Sequence, residues 1–168
     1  MTVSMYDICI SGPIRMLTIV TTLIDKAAEF CVAKKIDPAV VVNFRLAPDM
    51  EPFSRQIYFM TSQINYAFTR LLGVEPQAYH DLDVTFDELK ARLALARAFM
   101  EGVDRDALNA SADKAVAFKL GSNELKFTGQ QYVNEFWLPN FYFHSATAYN
   151  ILRHLGVEIG KFDYLGRR

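Results

Sequence analysis

"QQYVNEFWLPNFYFHSATAYNILRHLG" (residues 130–156) is the stretch on which the fold turns. Apolar residues run through it and Gly156 supplies a stop, so it reads as a helix that begins near Thr128 and Gly129. Pro139 lies inside that run. A proline has no N–H to give the carbonyl four residues back, here Glu135, so a break in the helix is expected at this point. Asn140, His144 and Ala148 follow at steps of four and share one helical face.

Three more long helices precede this one. Residues 4–34 place Ile14, Leu17, Val20 or Thr21, Ile24, Ala28 and Cys31 at three- and four-residue steps. A short helix with Pro38 at its first position follows a break at Ile36-Asp37. In "LAPDMEPFSRQIYFMTSQINYAFTRLLG" (46–73) Asp49 is placed as the helix N-cap or as a pocket carboxylate, and Gly73 as the stop. Its core face is Phe53, Ile57, Met60, Ile64, Phe68 and Leu71. In "TFDELKARLALARAFMEG" (85–102) Thr85 and Glu88 have the spacing of a capping box, with Leu89, Leu93, Ala96 and Met100 as the apolar stripe. Residues 103–113 read as a polar loop. The period then changes to two: "AVAFKLGSNELKF" (115–127) is a β-hairpin around Gly121-Ser122-Asn123. The tail from Val157 alternates apolar residues and is expected to pack back on the surface. The fold class is all-α, a four-helix bundle with a small hairpin inserted before the last helix, in one domain spanning 1–168.

The chain has 168 residues, 51% hydrophobic and 22% charged, enough to bury a sizeable core. A net charge of −1 with no basic run excludes a nucleic-acid binder that works by neutralising phosphates. The apolar stretch 14–24 is too short to span a bilayer, contains Arg15 and runs into Asp25 and Lys26, and no signal-peptide pattern surrounds it. A cytoplasmic protein is expected. The two cysteines, Cys9 and Cys31, would lie about 33 Å apart on one helix, too far to pair, which suits a reducing compartment. There is no Ser-His-Asp order, no glycine-rich phosphate loop and no CxxC.

Three segments carry a resemblance: "LAPDMEPFSRQI", "TFDELKARL" and "LPNFYFHSATAYNILRHLGVEIGKFDYLG". Together they resemble an uncharacterised bacterial domain of unknown function grouped with the DinB/YfiT-like four-helix bundles. The resemblance spans essentially the whole chain. It implies up-down-down-up connectivity and a homodimer. It also implies a divalent-metal site built from one histidine in the second helix and a His-x-x-x-His pair in the last, serving thiol transferases and hydrolases. At the matching positions this sequence has Gln56, Asn140 and His144. Amide oxygens are poor ligands for zinc or nickel, so no metal cofactor is expected.

Pocket candidates are therefore His144, Gln56, Asn140 and Asp49. The expected function is small-molecule binding by a metal-free, degenerate bundle. The alternatives are a metal-dependent enzyme using His144, and a dimeric interaction protein without catalysis. His144 is alternatively a hydrogen-bonded core histidine. His154 falls on another helical face near the C-terminus, where its charge suits the helix dipole. His80 with Asp81 and Asp83 reads as a solvated turn or a surface ion site. Trp137 is placed in the core or at an interface. The hairpin's apolar face is expected to be covered by a second copy or by its own bundle.

Overall fold

Two prolines shape this molecule before any packing does. In the computed structural model, which describes residues 3–79 and 84–167, each proline-bearing long helix opens with a π-helical turn. Asp7–Ser11 precedes α1 (Gly12–Lys34), and Tyr132–Trp137 precedes α7 (Leu138–His154). Pro13 and Pro139 then sit in the first turns of α1 and α7. The Leu138 N–H reaches back five residues to the Val133 carbonyl. The break expected at Pro139 therefore takes the form of a widened turn just upstream, and the helical backbone runs on through the proline.

Between these lie α2 (Pro38–Val42), capped by the Asp37 side chain accepting from the Ala39 N–H at 2.9 Å, and α3 (Phe53–Leu72). Then come α4 (Phe86–Glu101), α5 (Arg105–Ala110), the strands β1 (Ala115–Leu120) and β2 (Asn123–Thr128), and α6 (Gly129–Gln131). A one-turn helix, α8 (Lys161–Tyr164), ends the described chain. The polar stretch 103–113 is thus a short helix rather than a loop; the Asp104 side chain caps it by accepting from the Ala107 N–H at 2.7 Å. The capping box of Thr85 and Glu88 forms, and a second joins Thr128 to Gln131.

The bundle is DinB-like, with up-down-down-up connectivity. α3 packs on α7 and α4, and α1 packs on those same two helices, so α1 and α3 stand on one diagonal. All six residues assigned to the α3 core face are buried, as are Leu89, Leu93, Ala96 and Met100 of α4. Each fully buried side chain of this size contributes about 1.5–3 kcal/mol relative to an exposed one. Trp137 belongs to the core, with its ring 5.7 Å from that of Phe68, although its Nε1 finds no hydrogen-bond partner. The helical stretch Asp7–Lys34 is long and apolar enough to cross a membrane, and half of that apolar window is buried inside the bundle. Packing of Leu17, Val20, Leu23, Ile24 and Ala27 accounts for its composition. Cys9 and Cys31 are both free and buried, and burial pushes the Cys9 thiol up to about 12.

The hairpin pairs Val116 with Phe127 and Phe118 with Leu125 around a two-residue turn, in which Gly121 supplies a φ of 60°. Its apolar face lies on its own chain. Phe118 meets Phe136 at 5.0 Å and Tyr132 at 5.8 Å, and Phe127 meets the same two rings. Where β2 turns into α6, the chain runs tight against residues 111 and 112. A Cβ on Gly129 would stand 2.0 Å from the Ser111 carbonyl oxygen. The tail folds back on α1 and locks there by an ion pair of 2.6 Å between Lys26 and Asp163, whose side chain is buried.

Candidate functional site

Gln56 lies in the first turns of α3, and His144 two turns into α7. The α3–α7 packing brings them together: His144 Nδ1 and Gln56 Oε1 are 2.9 Å apart. The amide's other end is committed, because Gln56 Nε2 donates to the Glu51 carbonyl at 2.7 Å. Gln56 therefore turns its oxygen to the imidazole, and Nδ1 must carry the proton and donate. The neutral tautomer that results leaves Nε2 with its lone pair available.

Two rings complete the enclosure. Phe59 stacks on the imidazole at 5.2 Å with 24° between planes, and Phe143 meets it edge-on at 5.3 Å. Gln56 is buried, His144 half-buried and Phe143 exposed. Burial disfavours the imidazolium and pushes the His144 pKa down to about 4. At pH 7 the ring is neutral, so it serves as a hydrogen-bond acceptor or a single-point ligand rather than a proton donor.

The other sequence candidates behave differently. Asn140 is half-buried, but its Nδ2 donates to the Phe136 carbonyl at 2.6 Å. That carbonyl lies one residue later than Glu135, whose carbonyl an unbroken α-helical ladder would have freed. Asp49 is exposed in the turn before α3, which starts only at Phe53, with Pro52 at the cap position and no side-chain cap. Asp49 is thus not the N-cap: it stands three residues ahead of the cap position, too early for its carboxylate to meet the first free N–H groups. Its neighbour Glu51 enters the site instead, through its backbone carbonyl. His154 is exposed at the end of α7, with its ring 5.6 Å from that of Phe44 at a tilt of 34°. His80, Asp81 and Asp83 lie outside the described residues. Sequence reasoning overlooked Phe59, Phe143 and the Glu51 carbonyl. Phe143 adjoins His144 in the chain, and Phe59 follows Gln56 by three residues on one helix face. That spacing was the available signal.

The family profile of a domain of unknown function, DUF1993, matches residues 5–165. The chain belongs to the DUF1993 family. A solved structure of a DinB family member protein from Shewanella denitrificans is similar to this DUF1993 protein at 34% identity. The two superpose with a TM-score of 0.86 over 96% of this chain and 91% of that one. No curated protein of known function matches.

At the positions where the resemblance implies metal ligands, this DUF1993 protein carries Gln56, Asn140 and His144. Among the described residues, no three His, Cys, Asp or Glu side chains converge. At the matched positions one imidazole remains, its Nδ1 is turned to Gln56, and both ends of the Gln56 amide are engaged. Zinc and nickel favour imidazole, thiolate or carboxylate donors over amides.

Proposed function

We propose that this chain is a metal-free, small-molecule-binding DinB-like bundle in which His144 Nε2 accepts a hydrogen bond from the ligand. The observation that carries this reading is the relay from the Glu51 carbonyl through Gln56 to His144 Nδ1, which sets the tautomer and aims the remaining nitrogen. The rings of Phe59 and Phe143 beside it suit an uncharged donor, such as a phenol or an amide N–H, carried on an apolar body. A ring with a pKa near 4 is a poor general base at pH 7, which favours binding over acid–base catalysis.

The test is a titration of untagged protein with phenol and acetanilide, followed through the His144 ring resonances. Shifts of those resonances that vanish in Gln56→Leu support the proposal. About one zinc, nickel or iron per chain, removed by His144→Ala, would overturn it in favour of a metal-dependent enzyme.

A cytoplasmic, homodimeric state belongs to the same proposal. Two buried free thiols suit a reducing compartment. The hairpin face is already occupied within the chain, so support for pairing comes from the apolar side chains left outside: Val40, Phe143 and Phe162 are each more than half exposed.

A further inference from the structure

On a different face of α3 from the one that meets α7 there is a cleft of about 360 Å³, closed by Arg92 of α4 and by the segment carrying Pro76 and Tyr79. That volume is at the lower end of small-molecule sites. Its walls are ring faces from Tyr58, Tyr66 and Tyr79, together with Pro76. The segment that closes it is held in place: Asn65 Nδ2 donates to the Gln77 carbonyl at 2.8 Å, and the Gln77 N–H returns to Asn65 Oδ1 at 3.1 Å. Thr69 adds a hydrogen bond to the Val74 carbonyl at 3.1 Å. The cleft is therefore built in advance rather than formed by a mobile flap.

Arg70 stands at one end. Its guanidinium lies 3.7 Å over the Phe118 ring and 5.2 Å from the Tyr66 ring, and Nη1 donates to Tyr132 Oη at 2.9 Å. Among the described residues no carboxylate pairs with it. A half-buried guanidinium held on aromatic faces, with one of its five donors used, presents a forked donor pair for a planar oxyanion. Tyr79 lines the same cleft and has its ring 4.5 Å from the Arg92 guanidinium. The Tyr79 hydroxyl is buried without a hydrogen-bond partner. Burial pushes that phenol up to about 12, so it remains a donor at neutral pH.

We infer that this cleft is a binding site for a small aromatic monocarboxylate, with the carboxylate on Arg70 and the ring against Tyr66. Arg92, the cleft's other cation, is buried against the Tyr58 and Tyr79 rings, so Arg70, whose fork matches a planar carboxylate, is the cation placed to meet an anion, and the Tyr66 ring suits a flat apolar body. The site is separate from His144: Gln56 and Arg70 lie about 21 Å apart along the α3 axis.

Benzoate is the probe, with benzamide as its uncharged isostere and inorganic phosphate as the bare anion. Binding is followed on isotopically labelled full-length protein through the Arg70 Nε–H signal and the Tyr66 amide. Benzoate is expected to shift both signals, with benzamide and phosphate at least about tenfold weaker. Arg70→Gln should weaken benzoate at least about tenfold, and Arg70→Lys, which keeps the charge but loses the fork, several-fold. Tyr66 is 48% exposed, so Tyr66→Ala keeps the fold and tests the ring wall if Arg70→Gln does not fold. His144→Ala should leave benzoate binding unchanged, which separates this site from the one proposed above. Equal binding of benzamide, equal binding of phosphate, or unchanged affinity in Arg70→Lys and Tyr66→Ala would each overturn the assignment.

Discussion

Gln56 holds His144 by its amide oxygen, at 2.9 Å, because the amide nitrogen is already spent on the Glu51 carbonyl. Gln56→Leu leaves both the Nδ1–H and the Glu51 carbonyl without a partner. A loss of about 1–3 kcal/mol is expected, read from urea unfolding. Gln56→Glu should instead draw the imidazole toward its charged form and raise the His144 pKa, measured by its ring proton shifts against pH.

The pH dependence of the native protein has a definite sign. His144 has a folded pKa near 4, below its unfolded value near 6.5, so the unfolded chain binds the proton more readily. Its penalty is absent above pH 6.5, grows as pH falls and is complete below about 4. With partial exposure allowed for, the size is on the order of 1 kcal/mol. His144→Phe should flatten this part of the stability-against-pH curve.

Restoring imidazoles should restore metal binding. Gln56→His with Asn140→His places three histidines at the positions where DinB-like bundles carry theirs. The double variant is expected to take up about one zinc per chain by elemental analysis while the parent takes up none. A double variant that folds but stays metal-free would show that the backbone, and not only the side chains, has left the metal geometry.

Gly129→Ala should be among the most damaging single-methyl additions in the molecule. The new Cβ would stand 2.0 Å from the Ser111 oxygen, a backbone atom that cannot rotate away. A loss above about 3 kcal/mol, or failure to fold, is expected by circular dichroism.

For the assembly, light scattering at micromolar concentration should give twice the chain's 19.1 kDa. A mass of one chain would remove the dimer from the proposal and leave Phe143 as an element of the site alone.

The helices were legible because their signals are local. Thr85 with Glu88, Asp37 with Pro38, and the apolar spacing from Phe53 to Leu71 each state a start, a stop or a buried face within a few residues. The meeting of Gln56 and His144 came from resemblance, since no local pattern links two residues 88 apart. What stayed hidden depends on backbone geometry. Asp49 resembles a cap in every respect except that the chain spends three more residues turning before α3 begins. The π-turn at Tyr132–Trp137 has no propensity signature, so the form of the break at Pro139 could not be read. Arg70 carries no signal in the sequence, because Phe118 and Tyr132 reach it only after the hairpin folds back.

The widened turn ahead of Pro139 also works as a phase shifter. One extra residue in a helix turns everything beyond it by about 100°. Tyr132 and Phe136, within the widened turn, address the hairpin, while His144, after it, addresses α3. The segment is in effect two helices on one axis, set to different bearings by a single residue of slack. Removing one residue between Tyr132 and Trp137 would leave the composition, the charge and nearly all of the apolar pattern intact. It would nonetheless swing either the aromatic anchor of the hairpin or the imidazole off its target, so an indel here alters the bundle in a way that no substitution can.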